Sequence, residues 1–480
     1  MKALLILFIL TSSLTVFANS RTVMVQLFEW PWNDVARECE VYLGPNGFSA
    51  VQVSPPQEHL VLGQAAWWER YQPVSYKISS RSGDEFEFQN MIQRCRNVGV
   101  DVYVDVILNH MAGIASGTGI AGTKYTKYNH QDLYSFNDFH HCGRNGNDQI
   151  VNYKDRFELQ NCELLGLADL KTESPLVQQT LAEYLNQLLN MGVTGFRLDA
   201  AKHIPATDLV SIFDVLKSLT NISPFVVSET SLSADEPINI GEYLPLGHVN
   251  YFRYSYDIGA AFSSAKTSRL AGLFNSYVNT DDAVVFLENH DLQRTESSVL
   301  VSLRKDPIAY RLATVFFLTW PYGYPQLFSG FDFLNFDQGP PVDSKGKTLP
   351  ILDNNNHCRA PWLCEHRLPG VAELVKFRNH TDPAFYADGV WMGGEGQLAF
   401  SRGKLGFVAI NTSTEFLSAQ IPVGLPSACY CNVLAAEYQP GSSCSQGVAV
   451  RSGYATVSLG SQSALVLRSD VKCKLGSSRR

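Results

Sequence analysis

The sequence predicts an α/β fold: a (β/α)8 barrel with a small domain inserted after strand 3 and an all-β domain at the C-terminal end. Three observations point there. Short β-rich runs recur with helical stretches between them, eight in all. One crossover between them is far longer than the rest. After about residue 382 the helical pattern fades into short strand-like runs separated by turn residues.

Thr22–Phe28, Ala50–Ser54 and Asp101–Leu108 are the first three runs, and the third alternates Val102, Val104 and Val106. Phe196–Asp199, Phe225–Glu229, Val249–Tyr254, Val284–Glu288 and Tyr324–Phe328 supply the next five. A helix precedes the fourth: Leu181, Tyr184, Leu185, Leu188 and Leu189 recur at i, i+3, i+4, i+7 and i+8, and Gly192 is its stop. About sixty residues separate Leu108 from the helix near Leu176. They are rich in Gly, Asn, Tyr and His and include Cys142 and Cys162. An irregular insertion of that length is more often functional than ornamental. The domains are therefore expected at 19–109 with 171–382 for the barrel, 110–170 for the insertion and 383–480 for the β domain. Gly406–Asn411, Ala455–Leu459 and Ala464–Leu467 are strands of the last.

The chain of 480 residues suits one large domain with appendages. Residues 1–18 read as a secretory signal peptide: Lys2 is the positive end, Ala3 to Leu10 the apolar core, and Val16-Phe17-Ala18 the small-residue cleavage site. Its apolar run is too short for a membrane span, and no later stretch spans one. The formal charge of −8 becomes −9 without Lys2, which argues against nucleic acid or an anionic membrane as partner and suits a neutral substrate. Ten cysteines behind a signal peptide make disulfides the default. Asn221-Ile-Ser223, Asn379-His-Thr381 and Asn411-Thr-Ser413 match the glycosylation sequon, the first weakened by Pro224.

Gly195-Phe-Arg-Leu-Asp-Ala-Ala-Lys-His203 is the most informative stretch. An apolar strand ends in Arg197, Asp199, Lys202 and His203. So much charge at a strand end is costly unless it is paired, metal-bound or used in chemistry. Acids recur at the same ends of other strands: Asp105 and Asn109-His110 on the third, Glu229 on the fifth, Asn289-His290-Asp291 on the seventh. Barrel active sites are built on that rim. Any one Asp reads more simply as a salt bridge or helix cap. Three carboxylates on three strand ends suit glycoside hydrolysis, where one group attacks or stabilises an oxocarbenium-like centre and another protonates the leaving oxygen.

Asp105-Val-Ile-Leu-Asn-His110, the Gly195–His203 stretch, Ser228-Glu229 and Phe286-Leu-Glu-Asn-His-Asp291 together resemble, in order and spacing, the four signature regions of animal-type α-amylases. Trp67-Trp-Glu-Arg-Tyr-Gln-Pro-Val-Ser75 and Cys364-Glu-His-Arg367 add to the match, which covers nearly all of residues 20–470. The resemblance implies Asp199 as nucleophile, Glu229 as general acid and then base, and Asp291 as the third carboxylate, with retention at the anomeric carbon. Glu229 would need a raised pKa to keep its proton near neutrality. Trp67, Trp68 and Tyr71, an aromatic cluster that alone reads as core, become stacking surfaces for glucose rings. Gln72, His110, Tyr153, Arg197, Lys202, His203 and His290 join the sugar-binding set. The resemblance also implies calcium, held by the side chains of Asn109 and Asp169 and the carbonyls of Gln160 (usually Arg in the family) and His203. It pairs Cys39–Cys95, Cys142–Cys162, Cys358–Cys364 and Cys431–Cys444. Ser79 and Ala112 stand where a further family bridge is lost, which leaves Cys429–Cys473.

Two departures stand out. Many animal amylases hold an activating chloride between two arginines and an asparagine. Arg197 and Asn289 match two of those ligands, and the third position falls on Asp332, whose carboxylate would repel chloride and could neutralise Arg197 directly. Chloride-independent activity is expected. After Asn289-His-Asp-Leu-Gln-Arg294 the chain continues Thr295-Glu-Ser-Ser-Val-Leu, where animal enzymes often carry a glycine-rich mobile loop, so a shorter or stiffer rim is expected. The sequence therefore reads as a secreted, monomeric, calcium-dependent endo-amylase acting on starch, glycogen and malto-oligosaccharides. An α-glucosidase or transglycosylase is the alternative within enzymes. A catalytically silent carbohydrate-binding protein is the alternative outside them, and the intact Asp199, Glu229 and Asp291 argue against it.

Overall fold

The computed structural model describes residues 22–231, 235–270, 272–436, 438–441, 444 and 447–473. The expected signal peptide lies outside these residues. Eight parallel strands close into a barrel: β1 Met24–Leu27, β2 Ala50–Val53, β3 Asp101–Ile107, β4 Gly195–Asp199, β5 Phe225–Glu229, β6 His248–Asn250, β7 Ala283–Val285 and β8 Tyr324–Ser329. Each strand pairs with its neighbours in sequence, and β1 also pairs with β8. Strands covered on both sides read as continuous apolar runs, and β1 and β2 are buried at every position.

The helix before β4 spans Pro175–Asn190 and begins with proline, whose missing N–H costs nothing at a first helical position. Its buried face carries Leu181, Tyr184, Leu185, Leu188 and Leu189 as the periodicity predicts. Gly192 then takes φ 103°, a left-handed turn back into the barrel. Gly195 opens β4 where a Cβ would sit 2.6 Å from the Tyr103 ring and 2.9 Å from the Phe225 carbonyl oxygen, so only glycine lets β4 lie between its neighbours.

The sixth run departs from expectation. β6 stops at Asn250, and Phe252–Ser263 is a helix. Tyr254, Ile258, Ala261 and Phe262 lie at helical spacing and are buried together, so packing on one helical face outweighs the β-propensity of the tyrosines.

The insertion is more regular than its composition suggests. It holds a three-stranded antiparallel sheet of Ser116–Thr118, Lys124–Thr126 and Asn129–His130. His110–Met111 pairs antiparallel with Ala168–Asp169 and closes its neck against the barrel rim. The C-terminal residues form one eight-stranded sheet between Asp388 and Lys472. Arg402, buried at the seam, donates to the carbonyls of Thr319 (2.8 Å), Thr381 (3.0 Å) and Ala384 (2.8 Å), tying that sheet to the ends of helices Pro307–Thr319 and Val371–Thr381.

All five expected disulfides are formed: Cys39–Cys95, Cys142–Cys162, Cys358–Cys364, Cys429–Cys473 and Cys431–Cys444. Two sequons are occupied by the fold itself. The Asn379 amide donates to the Gly47 carbonyl, and Asn411 donates to the carbonyls of Glu415 and Gly460 from a fully buried position. Asn221 is exposed. Among the described residues no helix is long and apolar enough to cross a membrane.

Candidate active site

Strand pairing brings the acids together. Arg197 on β4 lies opposite Asp105 on β3 and Val227 on β5. Paired residues of neighbouring strands point to the same face, and so do residues two apart. Asp105, Arg197, Asp199 and Glu229 are therefore delivered to one side. Nη1 of Arg197 donates to Asp105 Oδ1 and to Asp199 Oδ1, each at 2.7 Å. Nη2 stands 2.8 Å from Glu229 Oε1, an ion-pair contact with no N–H aligned along it. The guanidinium is 3% exposed and Asp105 fully buried, while Asp199 and Glu229 show 11% and 13% of their side chains. Arg197 thus lies beneath the site. It is absent from the residues that line the cleft.

The turn after β4 adds a donor. Ala200 adopts φ 49°, ψ 31°, a left-handed conformation rare for a residue with a side chain. Its N–H reaches Glu229 Oε2 at 2.7 Å. Burial pushes the Glu229 carboxyl above the usual range, and the nearby Asp199 and Asp291 carboxylates add to this against the pull of Arg197. Burial also raises Asp199 and takes Asp105 up to about 7. One guanidinium faces more carboxyls than it can neutralise, so Asp105, Asp199 and Glu229 titrate as one coupled group, with Glu229 the carboxyl whose contact to Arg197 is not aligned.

Asp291 follows β7 with its Oδ2 3.4 Å from His290 Nε2 and 3.5 Å from Asn289 Nδ2. The Asn289 Oδ1 accepts from Leu292 N at 2.8 Å, capping the short turn that carries Asp291. His290 is sandwiched between Phe28 (centroids 5.0 Å) and Tyr71 (5.1 Å), with Trp67 edge-on at 5.7 Å. Burial holds its ring neutral. Tyr71 in turn donates to Asp105 Oδ2 at 2.9 Å.

These groups line a cleft of about 650 Å³. Asp199, Glu229, Asp291, Trp67, Trp68, Tyr71, Gln72, His110, Lys202, His203 and His290 all border it. Tyr153 does not: it stands on the insertion, half-exposed, near Glu236, the carboxylate that pairs with Lys202. The cleft also has walls that sequence reasoning missed. Leu164, Leu165 and Leu167 form one, and Phe336 and Asp337 another. Only the insertion's length hinted at the first, and nothing local marks the second. Asp105, noted as a strand-end acid, gained no role from sequence. Its signal was its place on the inward-facing parity of an otherwise valine-alternating strand.

Asp332 is a correction. Its side chain is 58% exposed and accepts from Arg304 Nε at 2.7 Å on the outer surface. The β8–rim turn carries it outward, so Asp105, Asp199 and Glu229, not Asp332, meet the charge of Arg197.

Of the expected calcium ligands, Asn109 and Asp169 lie at the neck of the insertion, buried and hydrogen-bonded to each other, and Asp169 Oδ2 is also 2.7 Å from His140 Nδ1. The backbones of 159–160 and 202–203 are laced together: His203 Nδ1 lies 2.9 Å from the Leu159 carbonyl, and Gln160 Nε2 lies 3.4 Å from that of Lys202. One carboxylate, one amide and main-chain carbonyls make an all-oxygen set that fits a hard divalent cation. Among the described residues no group of three or more His, Cys, Asp or Glu is placed to hold a metal ion.

Residues 42–232 match the model for the alpha amylase catalytic domain, and 391–470 that for the alpha amylase C-terminal all-beta domain. An alpha-amylase of Tenebrio molitor is 40% identical over 463 residues, covering 93% of this chain and 96% of its own. The chain belongs to the alpha-amylase family. An alpha-amylase-related protein of Drosophila ercepeae is 39% identical over 475 residues, covering 95% and 94% of the two chains. The crystal structure of alpha-amylase I from Eisenia fetida superposes with a TM-score of 0.86 at 32% identity, covering 93% of this chain and 97% of that one. A glutamate-to-glutamine mutant of that enzyme is known in complex with maltohexaose. The barrel and the β domain are accordingly those of an alpha-amylase-family glycoside hydrolase.

Family members run on a carboxylate and a carboxylic acid, so the proton balance around Arg197 should set the alkaline limit of activity. Asp105→Asn removes one negative charge from the guanidinium. Arg197 then acts more strongly on Asp199 and Glu229, both carboxyls become more acidic, and the alkaline limb of kcat/KM moves to lower pH. A pH–rate profile of the variant tests this; an unmoved alkaline limb contradicts the shared-charge account.

Proposed function

We propose that this chain is a secreted, calcium-dependent, endo-acting α-amylase. It cleaves internal α-1,4-glucosidic bonds of starch and glycogen with retention of configuration and without need of chloride. The observation that carries the reading is the attachment of Asp199 and Glu229 to the two terminal nitrogens of one guanidinium at the floor of an aromatic-lined cleft. Retaining glycosidases hold their two carboxyls about 5–5.5 Å apart, and sharing one guanidinium keeps this pair close.

Glu229 gives its proton to the glycosidic oxygen as the bond from that oxygen to the anomeric carbon breaks. The Asp199 carboxylate forms a bond to that carbon from the opposite face. The chain on the leaving side departs with a new hydroxyl. Water then attacks the same carbon, Glu229 takes its proton, and the bond to Asp199 breaks. Asp291 and His290 border the cleft where the hydroxyls of the reacting ring would lie. Asn109, Asp169 and the carbonyls of Gln160 and His203 would hold calcium, which would pin the insertion to the rim beside His203 and Lys202. Chloride independence is supported by the charge around Arg197: among the described residues it is the one cation in ion-pair contact with Asp105, Asp199 or Glu229, and three carboxylates already face it. Secretion is supported by the signal-like N-terminal sequence and five disulfides.

Incubation with soluble starch should give fast viscosity loss and mixed malto-oligosaccharides; glucose as sole product would instead indicate an exo-acting glucosidase. Glu229→Gln should lower kcat by about 10²- to 10⁴-fold while oligosaccharide binding persists, and undiminished turnover would overturn the assignment. A calcium chelator should lower the thermal midpoint and calcium should restore it; an unchanged midpoint in excess chelator speaks against the metal. The rate in chloride-free buffer should not rise on adding sodium chloride, and strong activation would refute chloride independence.

A further inference from the structure

Arg294 carries a cation into the most aromatic part of the molecule. It is 7% exposed, and no carboxylate stands within ion-pair distance of it among the described residues. Its guanidinium carbon lies 4.4 Å from the centre of the Phe333 ring, 5.0 Å from Trp67, 5.4 Å from Phe331 and 5.6 Å from Phe28. All three nitrogens donate to main-chain carbonyls: Nη1 to His290 (3.0 Å), Nε to Phe336 (3.2 Å) and Nη2 to Gln338 (3.3 Å). One plane therefore joins the segment that bears Asp291 to the loop after β8.

That loop is fastened from its other side as well. Trp67 Nε1 donates to the same Phe336 carbonyl at 2.9 Å, and Trp68 Nε1 to Asp337 Oδ1 at 2.9 Å. A Cβ on Gly339 would collide with the Ala65 carbonyl oxygen, so the loop lies flat against the segment leading to the tryptophans. Arg304 covers the outer face of Phe333 at 3.7 Å and is itself held by Asp332 and by the Phe333 carbonyl. Phe333 is thus clamped between two guanidinium groups, and Asp332 anchors the outer one.

We infer that Arg294 is a positioning residue that locks the segment Leu334–Gln338 onto Trp67 and Trp68 and so builds a fixed wall for the part of the glucan that lies on the two tryptophans. Trp67 stands edge-on to His290, which is itself 3.4 Å from Asp291, so this wall adjoins the acids directly. The segment after Arg294 has no glycine through Leu300, and the planar fork supplies rigidity where a mobile loop would otherwise close. Lysine cannot replace it: an ammonium is a point charge and cannot stack on several rings while donating along three fixed directions in one plane.

This inference rests on the amylase reading, and wild-type enzyme on soluble starch tests that reading by itself. If wild type hydrolyses starch, Arg294→Met and Arg294→Lys are compared with it for kcat, KM, product lengths from maltoheptaose and thermal midpoint. Both should raise KM about tenfold with a much smaller change in kcat, the signature of lost ground-state binding. Both should also shift the maltoheptaose cleavage pattern, and lysine should not rescue. Arg304→Met, at a part-exposed site that folding tolerates, should shift the pattern in the same direction to a smaller extent, and it carries the test if the Arg294 variants do not fold. Unchanged KM and products, or full rescue by lysine, would overturn the inference.

Discussion

One guanidinium holds the catalytic floor together. Arg197 is buried with Asp105, Asp199 and Glu229 in contact and with Asp291 nearby. Isolated, any of these charges would be costly in a barrel interior, and removing one partner of a buried pair typically costs about 3–5 kcal/mol. Together they form a cluster whose net charge depends on a shared proton. The arrangement gives two carboxyls at the ends of adjacent strands different contacts with one cation: Asp199 accepts an aligned hydrogen bond from Arg197, and Glu229 meets it without one. Catalysis and stability therefore draw on the same few interactions.

The second constraint is aromatic. His290 is fixed between Phe28 and Tyr71, and Tyr71 is tied to Asp105, so the stacking surface and the charge cluster are one unit. Behind them Arg70 is fully buried against Glu29 at 2.8 Å and donates to Ser80 and Ser82. This network supports the Trp67–Tyr71 turn from beneath, while Arg294 and the loop after β8 hold it from above. Sugar platforms on a short turn gain their rigidity from such partners rather than from the turn itself.

The appendages work at the margins of the barrel. The insertion returns to the rim through the pairing of Asp169 with His110, placing oxygen donors and the leucine wall at the cleft. The C-terminal sheet is joined to the helices behind the barrel by Arg402, far from the acids. Its contribution is to cover helix ends that would otherwise leave carbonyls without partners.

The sequence by itself determined the strand count, the apolar helix before β4, the family and the identity of the rim acids, all written in local periodicity and short motifs; the disulfide pairs followed from the family resemblance. Parity along a strand carries straight into the barrel. What only the tertiary structure decided was which charges meet. Arg197 is a buried counter-ion, because strand register places Asp105 beside it. Asp332 turned outward to Arg304, because one residue of shift after a strand reverses the direction of a side chain. Tyr153 fell outside the cleft, and Phe336 and Asp337 entered it, held there by Arg294 from about forty residues away. No local pattern encodes such contacts; they arise from the close packing of rings and guanidinium planes once the barrel has closed.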